Sequence, residues 1–139
     1  MRVIVFVKAS DESEAGQMPT SDMLTRMNAY NEQLVDAGVM QAGEGLHPSA
    51  KGKRIRFSGT TRKVLDGPFR DAKNLIAGFW LWKVRSMDEA VQWVKKAPFE
   101  DGAEIEIRPI FETEDFGAEL TPELRAQEER LRESAASNR

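Results

Sequence analysis

The sequence predicts an α+β domain whose main elements run strand, helix, strand, strand, helix, strand, with a hairpin inserted after the second strand. Three observations carry that expectation. Residues 2–8 and 78–84 are apolar at successive positions, so both sides of each segment are greasy, as in strands from the middle of a sheet. Residues 21–37 and 87–97 each trace a single apolar helical face. Residues 103–111 alternate apolar with charged side chains and include Pro109, which suits an edge strand or a wet cleft.

In chain order, Val3–Val7 is β-branched and aromatic and reads as the first, central strand. Residues 9–20 collect Ser, Asp, Glu, Gly and Pro, a long polar loop. Ser21 is placed to cap a helix bearing Met23, Met27, Tyr30 and Leu34, and Gly38 ends it. Residues 39–46 have strand character broken by Gly43-Glu44-Gly45, and glycines in a strand point to a bulge or to close approach by a backbone or ligand. Residues 54–57 and 63–65 form the hairpin, and Asp66-Gly67-Pro68 is the next turn. After a short winding at 70–76, the second central strand points Phe79 and Leu81 one way and Trp80, Trp82 and Val84 the other. Ser86 and Glu89 make a capping box for the second helix, which Pro98 stops.

From Glu112 onward the character changes. Thr121, Pro122 and the leucines 120, 124 and 131 describe a charged helix with a thin apolar stripe. The expected organisation is a domain over 1–112 and a charged helical tail over 113–139, docked on a partner subunit through 116–131 and disordered beyond Ser134.

This order of elements is the split βαβ arrangement of ferredoxin type, with both helices on one face of an antiparallel sheet. The other face is left with large apolar residues, more than a monomer usually exposes. A second copy packed against it under a two-fold axis removes that surface, so a homodimer is expected.

Composition narrows the function. No cysteine is present, which removes disulfides, thiolate metal sites and cysteine nucleophiles, and a single histidine makes a protein-borne zinc site unexpected. Net charge is −3, and the twelve basic residues between 51 and 96 are interleaved with acids and core positions, so nucleic acid is not an expected partner. No run is long enough to span a bilayer and no basic region followed by an apolar stretch opens the chain, so no membrane partner and a cytoplasmic address are expected.

His47, the one histidine in the sequence, is the natural general acid or base; the alternative is a histidine satisfying turn carbonyls or packing on a partner. Glu44 between two glycines is a carboxylate that a ligand can approach, or else part of a bulge, bonded to a backbone N–H or to Arg108. Arg108 and Lys73 offer positive charge to an anionic ligand, although Arg108 also suits an ion pair with Glu44 or Glu106. Asp66 joins them as a candidate ligand-binding residue, with organisation of its own turn as the alternative. Trp80 and Trp82 read as core or subunit interface. No phosphate loop, nucleophile elbow or metal motif is present, so no metal and no cofactor are expected.

Motifs along nearly the whole chain carry a resemblance: AGEGLHPS at 42–49, KGKRIRFSG at 51–59, LDGPF at 65–69, LIAGFWLW at 75–82, SMDEA at 86–90, EIEIRPIFE at 104–112, EDFG at 114–117 and TPEL at 121–124. In these the sequence resembles the YCII-related family, specifically the branch named for the tetrapeptide Asp66-Gly67-Pro68-Phe69. The resemblance implies a dimeric α+β barrel. Relatives in the wider family include a dehydrochlorinase acting on a chlorinated aromatic, whose proposed site pairs an aspartate with a histidine on the first helix. Here that helix has no histidine, and Met27 stands in its register. Genes of this branch often neighbour extracytoplasmic-function sigma factors, which implies a regulatory association. Two functions are therefore expected. One is a small-molecule enzyme or binder with a pocket in each half of a homodimer, where Glu44, His47 and Arg108 carry out cofactor-free proton transfer of lyase or isomerase type on a small anionic or aromatic ligand. The other is a non-catalytic dimeric module that engages a sigma factor.

Overall fold

The computed structural model describes residues 1–138. In chain order the elements are β1 (Arg2–Lys8), α1 (Asp11–Glu14), α2 (Ser21–Asp36), β2 (Met40–Gly45), β3 (Lys53–Ser58), β4 (Thr61–Asp66), β5 (Ile76–Lys83), α3 (Met87–Lys95), β6 (Ile105–Pro109) and α4 (Pro122–Ala136). They fall into two units, Met1–Pro109 and a second beginning at Ile110.

The two doubly apolar segments occupy the centre of a four-stranded antiparallel sheet, ordered β2-β5-β1-β6. With β3 and β4 set aside as a separate ribbon, this is the ferredoxin-like split βαβ order. Register pairs Val3 with Trp82 and Val5 with Trp80, so these four side chains share a face. That face is the core, where Tyr30 and Leu34 of α2 and Ala90 of α3 are buried with them. Burying a side chain of valine or leucine size contributes roughly 1.5–3 kcal/mol over leaving it wet, which is why the Val3, Val5, Leu34 and Trp82 cluster fixes the helices to this side.

The helix ends follow local chemistry, with two departures from expectation. Thr20, not Ser21, caps α2, its hydroxyl accepting from the Met23 N–H at 3.1 Å; both residue types cap well and only backbone geometry separates them. Gly38, at φ +73°, then turns the chain so that its own and the Val39 N–H groups satisfy the last carbonyls. Ser86 caps α3 through the Glu89 N–H at 3.2 Å, but the Glu89 carboxylate accepts from the Arg85 N–H, one residue earlier than a closed capping box requires. Within the stretch expected to be loop, Ser10 and Ser13 bond each other's N–H groups and wind the single turn of α1.

The opposite face of the sheet carries two rows that cross all four strands. One is Glu44, Phe79, Phe6, Glu106; the other is Ala42, Leu81, Ile4, Arg108. Ile4, Phe6, Phe79 and Leu81 are half-buried, and neither α2 nor α3 packs on them.

The ribbon β3–β4 is braced at its base. Ser49 donates its N–H to a Glu14 carboxylate oxygen at 2.9 Å, bonds the other oxygen through its hydroxyl, and accepts the Phe69 N–H at 2.9 Å. The Gly67 N–H reaches the Gly52 carbonyl at 3.0 Å, and the Arg54 guanidinium lies 3.9 Å over the Phe69 ring.

In the second unit, Thr121 caps α4 with Pro122 at its first position, as expected. Phe111 and Phe116 stack at 5.3 Å. Helix α4 continues to Ala136, past Ser134 where order was expected to end, because Ala135 and Ala136 are strong helix formers. Arg139, at the end of the expected disordered segment, lies outside the described residues.

Candidate functional site

A cleft of about 400 Å³ opens between α2 and the β2–β5 edge of the core face. Its floor is backbone: Gly43 and Gly45 on β2 face Trp80 and Gly78 on β5, so three of four opposed positions carry no side chain. Met27 and Asn31, one helical turn apart on α2, form one wall, and Phe99 forms another. Trp80 is the centre of this arrangement. Its indole N–H donates to the Asn31 side-chain oxygen at 3.0 Å, and Tyr30 and Phe99 meet its ring edge-on at 5.9 and 6.0 Å. The amide group of Asn31 is thereby oriented, leaving its NH₂ as a donor on a residue that lines the cleft.

Behind the cleft, Tyr30 donates its hydroxyl to the Trp93 carbonyl at 2.6 Å, tying α2 to α3. Burial pushes the Tyr30 phenol well above its ordinary pKa, so it acts as a fixed neutral donor.

The expected site residues do not gather here. Glu44 lines the cleft through its backbone, but the alternation that points Gly43 and Gly45 to the core face turns the Glu44 carboxylate to the other face, beside Phe79. Arg108 shares that outer face but stands on β6, at the far edge, about 14 Å from β2 at 4.8 Å per strand. The Glu44–Arg108 pair anticipated from charge is therefore not made within one sheet, and Glu106 bonds Lys8 at 3.5 Å instead. His47 is exposed on the segment leaving β2 and does not line the cleft. Asp66 bonds the Lys53 ammonium across the ribbon at 2.5 Å rather than the backbone of its own turn, a task that falls to Ser49. Lys73 is exposed in the turn Ala72–Asn74, where its carbonyl accepts from Lys8 at 3.4 Å. Asn31, Trp80 and Phe99 were missing from the expected site. The signal for Asn31 was its position four residues after Met27, beside the apolar stripe of α2.

A second, larger depression of about 820 Å³ lies at the start of α3. Several of its polar groups have partners: Arg85 pairs with Glu89 at 3.0 Å, Ser86 caps the helix, and the Lys96 ammonium sits 5.2 Å over the Trp93 ring. The Arg85 N–H, the leading cause, and the Arg85 guanidinium hold the Glu89 carboxyl below its usual range. Among the described residues no three His, Asp or Glu side chains assemble as a metal site, and no helix is long and apolar enough to cross a membrane.

An uncharacterised protein of Rhizobium meliloti (strain 1021) is 30% identical over 69 residues, which span 50% of this chain and 56% of that protein, so the match takes in little more than half of the relative's length. Among solved structures, the 5-chloro-2-hydroxyhydroquinone dehydrochlorinase TftG of Burkholderia phenoliruptrix AC1100, in complex with 2,5-dihydroxybenzoquinone, aligns over 84% of this chain and all of its own at 19% identity, with a TM-score of 0.44. The model of the YCII-related domain matches residues 1–114, and the chain belongs to the YCII-related family.

Proposed function

We propose that the chain binds a small, largely apolar aromatic molecule in the cleft between α2 and the β2–β5 edge. One observation carries this reading: a glycine floor under Trp80, Met27 and Phe99, with a single side-chain amide, Asn31, held in orientation by the Trp80 indole. Cofactor and ligand sites are commonly apolar concavities with one or a few fixed polar groups, and about 400 Å³ matches the smaller members of that range. The ligand accepts a hydrogen bond from Asn31 and stacks on or edges against Trp80. Binding is favoured over proton transfer, because no titratable side chain among the described residues faces the cleft.

The same reading treats the working form as two copies. The row of Phe79 and Phe6, with Leu81 and Ile4 beside it, forms an apolar patch on the face of the sheet opposite α2 and α3, and a second sheet packed on it would exclude water from both.

The test is a titration with substituted phenols, followed by tryptophan fluorescence. Saturable binding by the wild type is expected, weakened about 3- to 10-fold by Asn31→Ala for one lost hydrogen bond. Gly45→Val, whose side chain would stand in the open space over the floor, is expected to abolish binding while the protein stays folded. Binding that is indifferent to both substitutions would remove the cleft from consideration.

A further inference from the structure

Between β1 and α2, residues 9–20 form a strap that includes one side chain the fold does not use. Met18 is 80% exposed, the highest value of any large apolar side chain among the described residues. A single exposed apolar residue is ordinary in itself, although it gains nothing from folding. Its place is what matters: the next residue, Pro19, lines the cleft, so Met18 stands at the rim.

The course of the strap follows from its bonds. As the chain leaves β1, the Ala9 N–H meets the Leu75 carbonyl at 2.9 Å, just before β5. At Glu14 the carboxylate takes the Ser49 N–H at 2.9 Å, beyond the end of β2. Because β5 stands between β1 and β2, the strap spans that end of the sheet, and there the row Val7, Gly78, Gly45 lines the cleft. The Gly16 N–H bonds the Ser13 carbonyl and the Gln17 N–H bonds the Glu12 carbonyl, both at 3.1 Å, and Thr20 then caps α2. Met18 and Pro19 are thus a short bridge between two anchored points. None of residues 9–20 is buried, and a segment of that kind belongs to the low end of local stability, so a change in its course costs little.

We infer that Met18 folds over the aromatic ligand and is the lid of the cleft. This rests on the cleft reading above and adds the residue that shuts it. The cleft has a glycine floor and walls from α2 and Phe99, and the strap borders it through Pro19 alone. Met18 supplies the roof. A thioether chain suits that task, since it is unbranched, turns about three bonds to fit rings of different substitution, and packs its sulfur favourably against an aromatic edge. Closure removes water from Met18 and from the outer side of the ligand together, so the driving force exists only when an apolar ligand is in place. The strap stands open in the empty protein and shut in the loaded one.

Methionine oxidation followed by peptide mass spectrometry tests this on the wild-type protein, with para-nitrophenol as the ligand. Hydrogen peroxide converts an exposed thioether to its sulfoxide, and Met1, 48% exposed at the opposite end of β1, is the internal reference. Saturating para-nitrophenol is expected to lower the ratio of the Met18 rate to the Met1 rate at least about fivefold. By tryptophan fluorescence, Met18→Ser should bind the same phenol about 3- to 10-fold more weakly, and Met18→Leu should stay within about twofold of wild type. Melting temperatures of all three should coincide, because the side chain faces solvent when the cleft is empty. If the phenol binds and the oxidation ratio does not change, or if Met18→Ser binds as wild type does, the lid is overturned and the cleft stands. Met18→Leu as weak as Met18→Ser likewise overturns the lid. A wild type that binds no para-nitrophenol overturns both readings.

Discussion

Replacing Gly43 by alanine tests the centre of the cleft. A Cβ built there falls 2.7 Å from Trp80 Cδ1, 3.1 Å from Trp80 Nε1 and 2.9 Å from the terminal methyl of Met40. The methionine end can swing aside. The indole cannot, since it is 5% exposed, wedged among Tyr30, Trp82 and Phe99, and bonded to Asn31. Moving it costs about 1–3 kcal/mol in overpacking, and loss of the Asn31 bond adds about 1 kcal/mol. Lower entropy of the unfolded chain returns roughly 0.4–1 kcal/mol. The net expectation is a destabilisation of about 2 kcal/mol. Gly45→Ala is the internal control: nothing lies within 4 Å of its built Cβ, so the same chemical change should be neutral or stabilise by up to about 1 kcal/mol. Urea unfolding followed by far-ultraviolet circular dichroism and by tryptophan emission reads the difference. With a slope of about 2 kcal/mol/M, the Gly43→Ala midpoint should fall roughly 1 M below wild type. Coincident midpoints for the two alanine variants would refute the claim that the glycine is there for the indole.

Three further outcomes follow from the same contacts. Gly67→Ala should cost about 3 kcal/mol or more, because its Cβ would sit 1.8 Å from the Ser49 carbonyl oxygen and 2.7 Å from the Ser49 carbonyl carbon, both of them backbone; a urea melt within about 0.5 kcal/mol of wild type would contradict that packing. Tyr30 is neutral when folded and ionises from 10.0 when unfolded, so above that pH the unfolded state has fewer protons and stability falls as pH rises; Tyr30→Phe should lose about 1 kcal/mol near neutrality for the bond to Trp93 and flatten the alkaline decline in melting temperature. Glu89 is held below its ordinary 4.5, so its contribution is present above that value and disappears as pH falls through the folded pKa; Glu89→Gln should make the acid limb of a melting-temperature profile shallower, and an unchanged limb would count against the Arg85 contact.

The elements were legible where burial imposes a period. Alternation on the tryptophan strand gave which residues share a side, though not which side meets the helices, and Thr121-Pro122 marked the start of α4, because these signals are local. Choices between equivalent local partners were not. Thr20 and Ser21 are both good caps, and Glu89 can reach the N–H of Ser86 or of Arg85; the approach of the preceding chain decides each. The candidate site residues stand apart for a longer-range reason. Glu44, His47 and Arg108 are the residues that charge and titration single out, yet strand order puts β2 and β6 at opposite edges, and the period of two turns Glu44 away from the glycines that flank it. The spacing signal for Asn31 was weak, because an amide beside an apolar stripe looks like ordinary helix surface until the Trp80 indole is set against it.

The turn at Asp66-Gly67-Pro68-Phe69 shows how a conspicuous motif can serve geometry instead of chemistry. Each of its polar contacts is with protein: Asp66 with Lys53, the Gly67 N–H with Gly52, the Phe69 N–H with the Ser49 hydroxyl. Ser49 is in turn held by Glu14, so one serine joins stretches 35 and 20 residues away along the chain. Glycine is required at 67 because any side chain would enter the Ser49 carbonyl, and Phe69 supplies the ring on which Arg54 rests at the foot of the ribbon. Bracing of this kind removes freedom at the base while the tip, carrying Phe57, stays exposed. The motif therefore sets the direction in which the β3–β4 ribbon leaves the rest of its unit.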